Sequence, residues 1–418
     1  MKMIKANSDK ISEMLILALL FYVGLFFIEI SGFQLLLGLV VLFLSLIKRT
    51  FKITFENILL FMTFACYVII DMFHNRANPQ YDYLENIMLV TNVTLGYFVG
   101  FQFLKNSKQA MENRFWKVFF VVSFSTALFA ILGLIYKQFA SPDFVEYLKQ
   151  VKQDYYGRWG YDVWLREVVY PTNFNNQFVF AMSAVFGIIF YVRNRLSKYL
   201  LVLVILASLW SAFATSTRTN IYLLIISFGL GFILDFVFNQ NEVGKRLLQS
   251  LKKYKVILIS TMILLLISGS IMWRQIIKFI QESDLYLRFA NLEKESMLNG
   301  RLDLSLNVIR NIPKFPFGNM DLFWAHNLWF DVARISGILP MLMLLAYSIL
   351  TLISSIKLLR NRCVDIRIRL TCITIFIGTY LSFAIEPIIE GRPHLWLLFC
   401  VFNGMTYYLS NRRPENTQ

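Results

Sequence analysis

Apolar stretches of membrane-crossing length recur along the whole chain, near 12–29, 31–47, 53–71, 84–104, 115–137, 173–192, 197–214, 219–238, 255–273, 327–356, 366–386 and 391–410. A bilayer core about 30 Å thick takes roughly 20 helical residues to cross. Backbone groups find no water there, so each stretch has to satisfy its own hydrogen bonds as a helix. The chain is 57% hydrophobic and only 16% charged, with a mean hydropathy of +0.56. A soluble protein is nearer half apolar and a quarter charged. The pattern predicts an all-α, polytopic integral membrane protein with about twelve transmembrane helices, read as one membrane domain over 1–418.

The net charge of +15 does not point to nucleic acid, because the Lys and Arg residues sit in short clusters between apolar runs and not on one amphipathic face. Their placement sets orientation. Lys2/Lys5/Lys10, Lys48/Arg49/Lys52, Lys105/Lys108/Arg114/Lys117, Arg193/Arg195/Lys198, the 245–255 cluster, the 357–369 cluster and Arg412/Arg413 lie in alternate connections and hold more than half of the 41 basic residues. These connections read as cytoplasmic, with both termini beside them and an even number of spans. The N-terminal MKMIKANSDK precedes an apolar run without a small-residue cleavage site, so the first segment reads as a retained helix. The four cysteines have neither disulfide-framework nor metal-ligand spacing.

On this orientation the long loops, 138–172 and 274–326, are both on the outer side. Residues 301–312 have roughly helical apolar spacing and predict a short amphipathic helix on the membrane face. The 327–356 segment is too long for one span and predicts an interfacial helix from His326 to about Ser336, before Gly337 and Pro340. Between 29 and 32 a tight turn joins the first two spans.

Ionisable groups near hydrocarbon usually have a task. All three histidines, His74, His326 and His394, fall at outer helix ends, although a lone interfacial histidine is more often a polar anchor. Arg218 lies in a very short outer turn among Thr215, Ser216, Thr217, Thr219 and Asn220, a setting that suits an anion better than a lipid anchor. Glu386, Glu390, Arg392 and His394 form another outer turn. The i, i+4 spacing of the two glutamates would place them on one helix face, but Pro387 lies between them and like charges repel. Trp159, Tyr161, Trp164, Trp324 and Trp329 could stack on sugars or anchor at the interface, with equal weight.

The most specific stretch is PKFPFGNMDLFWAHNLWFDVARISGILP, in which a Pro- and Gly-punctuated turn delivers His326-Asn327 to the start of an amphipathic helix. This stretch resembles the signature of the O-antigen ligase/polymerase superfamily of bacterial surface-polysaccharide enzymes. The STRTNIY run around Arg218 is similar to that superfamily's first arginine segment, and NGRLDLSLNVI around Arg301 to its second. The motif-level likeness covers roughly 210–345, while the N-terminal half is similar in hydropathy only. The resemblance implies a GT-C-like membrane glycosyltransferase, inverting and metal-independent, with no cofactor. Its donor would be a polyprenyl-diphosphate-linked glycan at the periplasmic face. It implies His326 as general base and Arg218 on the donor diphosphate, with Arg301 as the loop arginine. Arg288 and Arg310 compete for that last role. Asn327 could orient the ring or the acceptor, and Asn220, Glu386, Glu390, Arg392 and His394 are weaker candidates for holding the acceptor. Membrane lipid and a chain-length regulator protein would be the partners.

The chemistry is consistent on its own terms. Cleaving a sugar–diphosphate bond gathers charge that Arg forks can hold, and a sugar hydroxyl gains from a base that takes its proton. A polymerase extending a lipid-linked repeat unit is preferred here, and a ligase transferring glycan to lipid A-core is the alternative. A flippase or transporter of lipid-linked oligosaccharide is the reading from another class. Against it, the long loops lie outside, and no paired Gly/Pro interruptions mark the two halves.

Overall fold

The computed structural model describes residues 2–25, 31–78, 83–106, 111–141, 159–164, 166–169, 171–253, 297–322, 324–386 and 393–413, with Phe144, Glu146 and Ile388. The first half is built from α1 (Lys2–Gly24), α2 (Ser31–Ile47), α3 (Phe55–His74), α4 (Tyr83–Lys105) and α5 (Met111–Gln138). After a small hairpin come the short α6 (Pro171–Asn175), a 3-10 turn (Asn176–Phe178), α7 (Val179–Ser183) and α8 (Val185–Phe190). Then follow α9 (Arg195–Ala214), α10 (Thr219–Phe238), α11 (Glu242–Lys253), α12 (Met297–Asn311), α13 (Leu328–Ser336), α14 (Ile338–Arg360), α15 (Ile366–Phe383) and α16 (Pro393–Ser410).

Six of these, α3, α5, α9, α10, α14 and α15, are long and apolar enough to cross a membrane, which makes this a multi-pass membrane protein. Their outward faces carry exposed apolar side chains such as Phe61, Leu203, Ile225 and Leu345, a surface that lipid would cover. Polar caps define where several helices start. Thr54, Asn194 and Asp365 each accept a backbone N–H from the first turn of α3, α9 and α15, at 3.3, 3.1 and 2.8 Å.

The core is assembled around α16, whose side chains from His394 to Thr406 are all buried. Its partner is α4, and the approach is close because Gly96 and Gly100 are four residues apart on one face. A Cβ at Gly100 would sit 1.9 Å from the Val401 carbonyl oxygen, and one at Gly96 would sit 2.3 Å from that of Leu397. Small residues at this spacing let two helix backbones meet where lipid supplies no hydrophobic drive. Gly100→Leu should therefore destabilise the fold by about 1–3 kcal/mol, the usual cost of overpacking. Thermal unfolding in detergent checks this against Gly229→Leu, where nothing lies within 4 Å of an added Cβ.

Three features differ from the sequence expectations. The first helix starts at Lys2, ten residues before the apolar run. The expected single span at 173–192 is broken into α6, the 3-10 turn, α7 and α8. Within it the Asn175 side chain donates to the Pro171 carbonyl at 2.7 Å, taking an acceptor that a regular helix would give to its backbone. Irregular backbone survives at membrane depth only inside protein, and every side chain from Phe174 to Ile188 is buried. The loop expected over 138–172 contains an antiparallel hairpin, β1 (Gly160–Asp162) with β2 (Glu167–Val169), which pairs Tyr161 with Val168. Aromatic and β-branched residues suit that pairing.

The segment after 326 folds as its Gly and Pro suggest. α13 ends at Ser336, Gly337 takes φ +82°, and α14 begins with Pro340 in its first turn. An added Cβ at Gly337 would lie 2.0 Å from the Pro316 carbonyl oxygen, so the break is locked against the preceding turn. The expected 301–312 helix is α12. Of the turn expected at 29–32, Ser31 and Gly32 instead open α2, while residues 29 and 30 and the expected span at 255–273 lie outside the described residues.

Candidate functional site

His326 occupies a left-handed backbone conformation, φ +51°, immediately before α13. Such angles cost free energy outside glycine and persist only where the surroundings enforce them. The enforcing group is Asp331, one turn into α13. Its carboxylate accepts the Ala325 N–H at 2.8 Å and the Asn327 N–H at 2.9 Å, with a further backbone interaction from His326. Burial raises the Asp331 carboxyl above its ordinary range, and the N–H groups of Asn327 and Ala325, with Arg334, only partly oppose that rise. The next residue, Asn327, is the helix cap. Its side chain accepts the N–H of Trp329 and of Phe330, and its amide donates to the Ala384 carbonyl at 2.9 Å. Its side-chain bonds are committed to α13 and to the end of α15, so it serves as a fixed bracket and does not turn toward a substrate or the imidazole.

The His326 ring stands edge-on to Trp324, 6.4 Å between centroids, and the Arg334 guanidinium lies over the same indole. Arg334 is 3% exposed and donates to the carbonyls of Met320 and Leu322. It thereby clamps the 316–324 turn onto α13. From α3, His74 Nε2 contacts the Phe317 carbonyl at 2.8 Å, which brings a second histidine to this end of the bundle.

Arg218 lies in the turn between α9 and α10, 7% exposed, directly before the first residue of α10. Ser216, two residues earlier, has φ +51°. The positive end of α10, a buried guanidinium and hydroxyls from Thr215, Ser216 and Thr217 converge there, a combination suited to an anion. Lys137, at the end of α5, donates to the Ala214 carbonyl at 2.6 Å and adds a second cation beside the turn.

These two segments are connected by side chains that carry no recognised motif. Asn175 donates to Thr215 Oγ1 at 2.8 Å and accepts from Ser211 Oγ and from Asn220, both at 2.9 Å. Asn176 accepts from Ser382 at 3.4 Å, and Gln177 Oε1 meets His394 Nε2 at 3.1 Å. The run Asn175–Gln177 thus ties the Arg218 turn to the end of α15 and the start of α16, and Asn327 bonds that same end of α15. Asn220, whose buried amide donates to Asn175 and to the Ser208 carbonyl, is part of the scaffold. His394 is entirely buried, so it supports the site from below and is not open to an acceptor.

Glu386 is 1% exposed and lies three residues past the end of α15 at Phe383. Glu390, Arg392 and Arg288 lie outside the described residues. Arg301 lies on α12, which packs through Val308 against Ala325 and Ala333 beside His326. The Arg301 side chain is outside the described residues, and Arg310 on the same helix is exposed. Compared with known proteins, the chain matches no family model and no curated protein.

Among the aromatics, Trp159 and Tyr161 are buried, with Tyr161 stacked on Tyr136 at 3.7 Å. Trp329 stacks on Tyr380 and donates to Ser348. That packing removes all three from sugar stacking and leaves Trp324 and Trp164, 46% and 42% exposed. Sequence reasoning missed Asp331, Arg334, Lys137 and the Asn175–Gln177 run. A signal existed for the first pair, an Asp and an Arg three apart on the buried face of an otherwise apolar helix.

Proposed function

We propose that this protein is a surface-polysaccharide polymerase of about twelve spans, acting on a polyprenyl-diphosphate-linked glycan at the periplasmic face of a bacterial inner membrane. The observation that supports it most is the strained, carboxylate-clamped His326 at the same end of the bundle as the buried Arg218 turn. The two are joined through Asn175–Gln177 and the end of α15.

In this reading the acceptor sugar hydroxyl attacks the anomeric carbon of the donor glycan. The new C–O bond forms as the bond from that carbon to the diphosphate oxygen breaks, with inversion. The hydroxyl proton passes to the His326 imidazole, and polyprenyl diphosphate leaves with the electron pair. Nδ1 of His326 is buried although the residue is part-exposed, so proton transfer falls to Nε2. Arg218 and the N-terminus of α10 hold the charge that gathers on the leaving diphosphate. Trp324, exposed next to His326, offers a face for the acceptor sugar.

The test is deletion of the gene and gel analysis of the surface glycan, followed by complementation. A polymerase predicts core capped with a single repeat unit in the deletion strain and restored long chains on complementation. Bare core with glycan accumulating on its lipid carrier would indicate the ligase. Glycan retained on the cytoplasmic leaflet would indicate a flippase and overturn the reaction class.

A further inference from the structure

At the other end of the bundle, a cleft of about 820 Å³ opens between the end of α8, the turn into α11 and the connection from α14 to α15. It is distinct from the site above. α10 starts beside Arg218 and ends at this cleft, α15 starts at the cleft and ends near Ala384, and a 20-residue helix is about 30 Å long.

Five arginines line the cleft, Arg193, Arg246, Arg362, Arg367 and Arg369, against the carboxylates of Glu112, Glu242 and Asp365. Two of the acids are already engaged. Asp365 is held by the Arg367 fork, Nε to Oδ1 at 2.9 Å with the second arm on Oδ2. Burial by itself would raise the Asp365 carboxyl, but these hydrogen bonds hold it below the usual range. Glu242 pairs with Arg246 along α11 at 3.4 Å. Five guanidinium groups against three carboxylates leave the lining with an excess of positive charge. Arg362 is the like charge next to Arg369.

Arg369 donates Nη1 to the Leu359 carbonyl at 2.8 Å, while its buried Nε has no hydrogen-bond partner among the described residues. Holding a guanidinium there with one buried donor unsatisfied is costly, and an anion among the five arginines would offset that cost through its charge. Guanidinium forks match phosphate oxygens, and the volume accommodates a group larger than a single small ion. The cleft is walled by α11, whose Leu247 and Leu248 are exposed beside its basic residues, so it opens where a headgroup layer would lie.

We propose that this arginine cleft is a binding site for a phosphate-bearing anion, supplied either by the headgroup of an anionic phospholipid or by a soluble phosphate compound. It stands independently of the polymerase reading.

The test uses the full chain purified in detergent, titrated calorimetrically with inorganic pyrophosphate against sodium chloride of equal ionic strength. Saturable binding is expected, weakened about ten- to a hundredfold in Arg362→Gln/Arg369→Gln and unchanged in Lys357→Gln/Arg360→Gln, two exposed cations in the last turn of α14. Should the double variant not fold, Arg193→Gln, on a different element, carries the same expectation. Competition by dihexanoyl phosphatidylglycerol, with phosphatidylglycerol retained over phosphatidylcholine in native mass spectra, assigns the lipid source. Pyrophosphate binding without such competition assigns the soluble one. Absence of saturable binding by both ligands, or equal affinity in the cleft variants, overturns the proposal.

Discussion

Replacing His326 by alanine is expected to lower glycan transfer by roughly 10²–10⁴-fold, the contribution of a positioned general base. Long-chain glycan should disappear from gels while membrane insertion is retained. The fold should survive because the cap of α13 is Asn327 and the backbone clamp is Asp331, neither of which is altered. Alanine at φ +51° adds a strain of its own, so His326→Asn is the cleaner variant, since asparagine tolerates the left-handed region. Both should lose kcat far more than they change KM. Asp331→Ala separates base from bracket. It leaves the N–H groups of Ala325 and Asn327 without their acceptor, at about 1–3 kcal/mol each if they stay buried, and frees the imidazole from its set position. Its activity should fall together with thermal stability, whereas His326→Asn should lose activity with its melting temperature intact. A His326→Asn protein that still builds normal chain ladders would remove His326 from the reaction.

The contrast between His326 and its clamp also shows how far the sequence could be read. Apolar periodicity locates α3, α5, α9, α10, α14 and α15 because a bilayer forces helices on any apolar run of that length. Gly337 and Pro340 announce the break between α13 and α14 for an equally local reason. The broken segment from Pro171 to Phe190 is different. Its PTNFNNQ start has the composition of a loop end, and its helix is interrupted by a side chain that bonds four residues back. The polar groups that justify burying Asn175 and Gln177 come from Ser211, Asn220 and His394, far along the chain. Local pattern carries no information about such pairings. The same limit applies to His326, whose positive φ is imposed by tertiary hydrogen bonds, and to Asn327 and Asn220. Those two read as substrate-facing polar residues until their side chains are seen bonded to the scaffold.

Arg218 is expected to show the second large effect, and its two substitutions distinguish how it acts. Arg218→Ala removes a cation from a buried turn at the start of α10 and should lower transfer by about 10²–10³-fold, the scale for losing one preorganised group that stabilises transition-state charge. Arg218→Lys keeps the charge but loses the planar fork, and an ammonium is more strongly hydrated and so less suited to a buried site. If Arg218 engages diphosphate oxygens through two parallel N–H groups, lysine should recover only a small part of the lost rate. If it supplies charge alone, assisted by Lys137 beside the turn, lysine should restore most of it. Initial rates on a lipid-linked repeat-unit donor in detergent, with thermal unfolding alongside, discriminate the two. The fork is favoured, because the turn already holds Thr215 and Thr217 in mutual hydrogen-bond contact and Asn175 fixes Thr215 from the other side. A rigid cradle of that kind rewards a side chain whose donors are fixed relative to one another. Wild-type rates in Arg218→Ala would place the diphosphate elsewhere, with Arg301 on α12 the next residue to substitute.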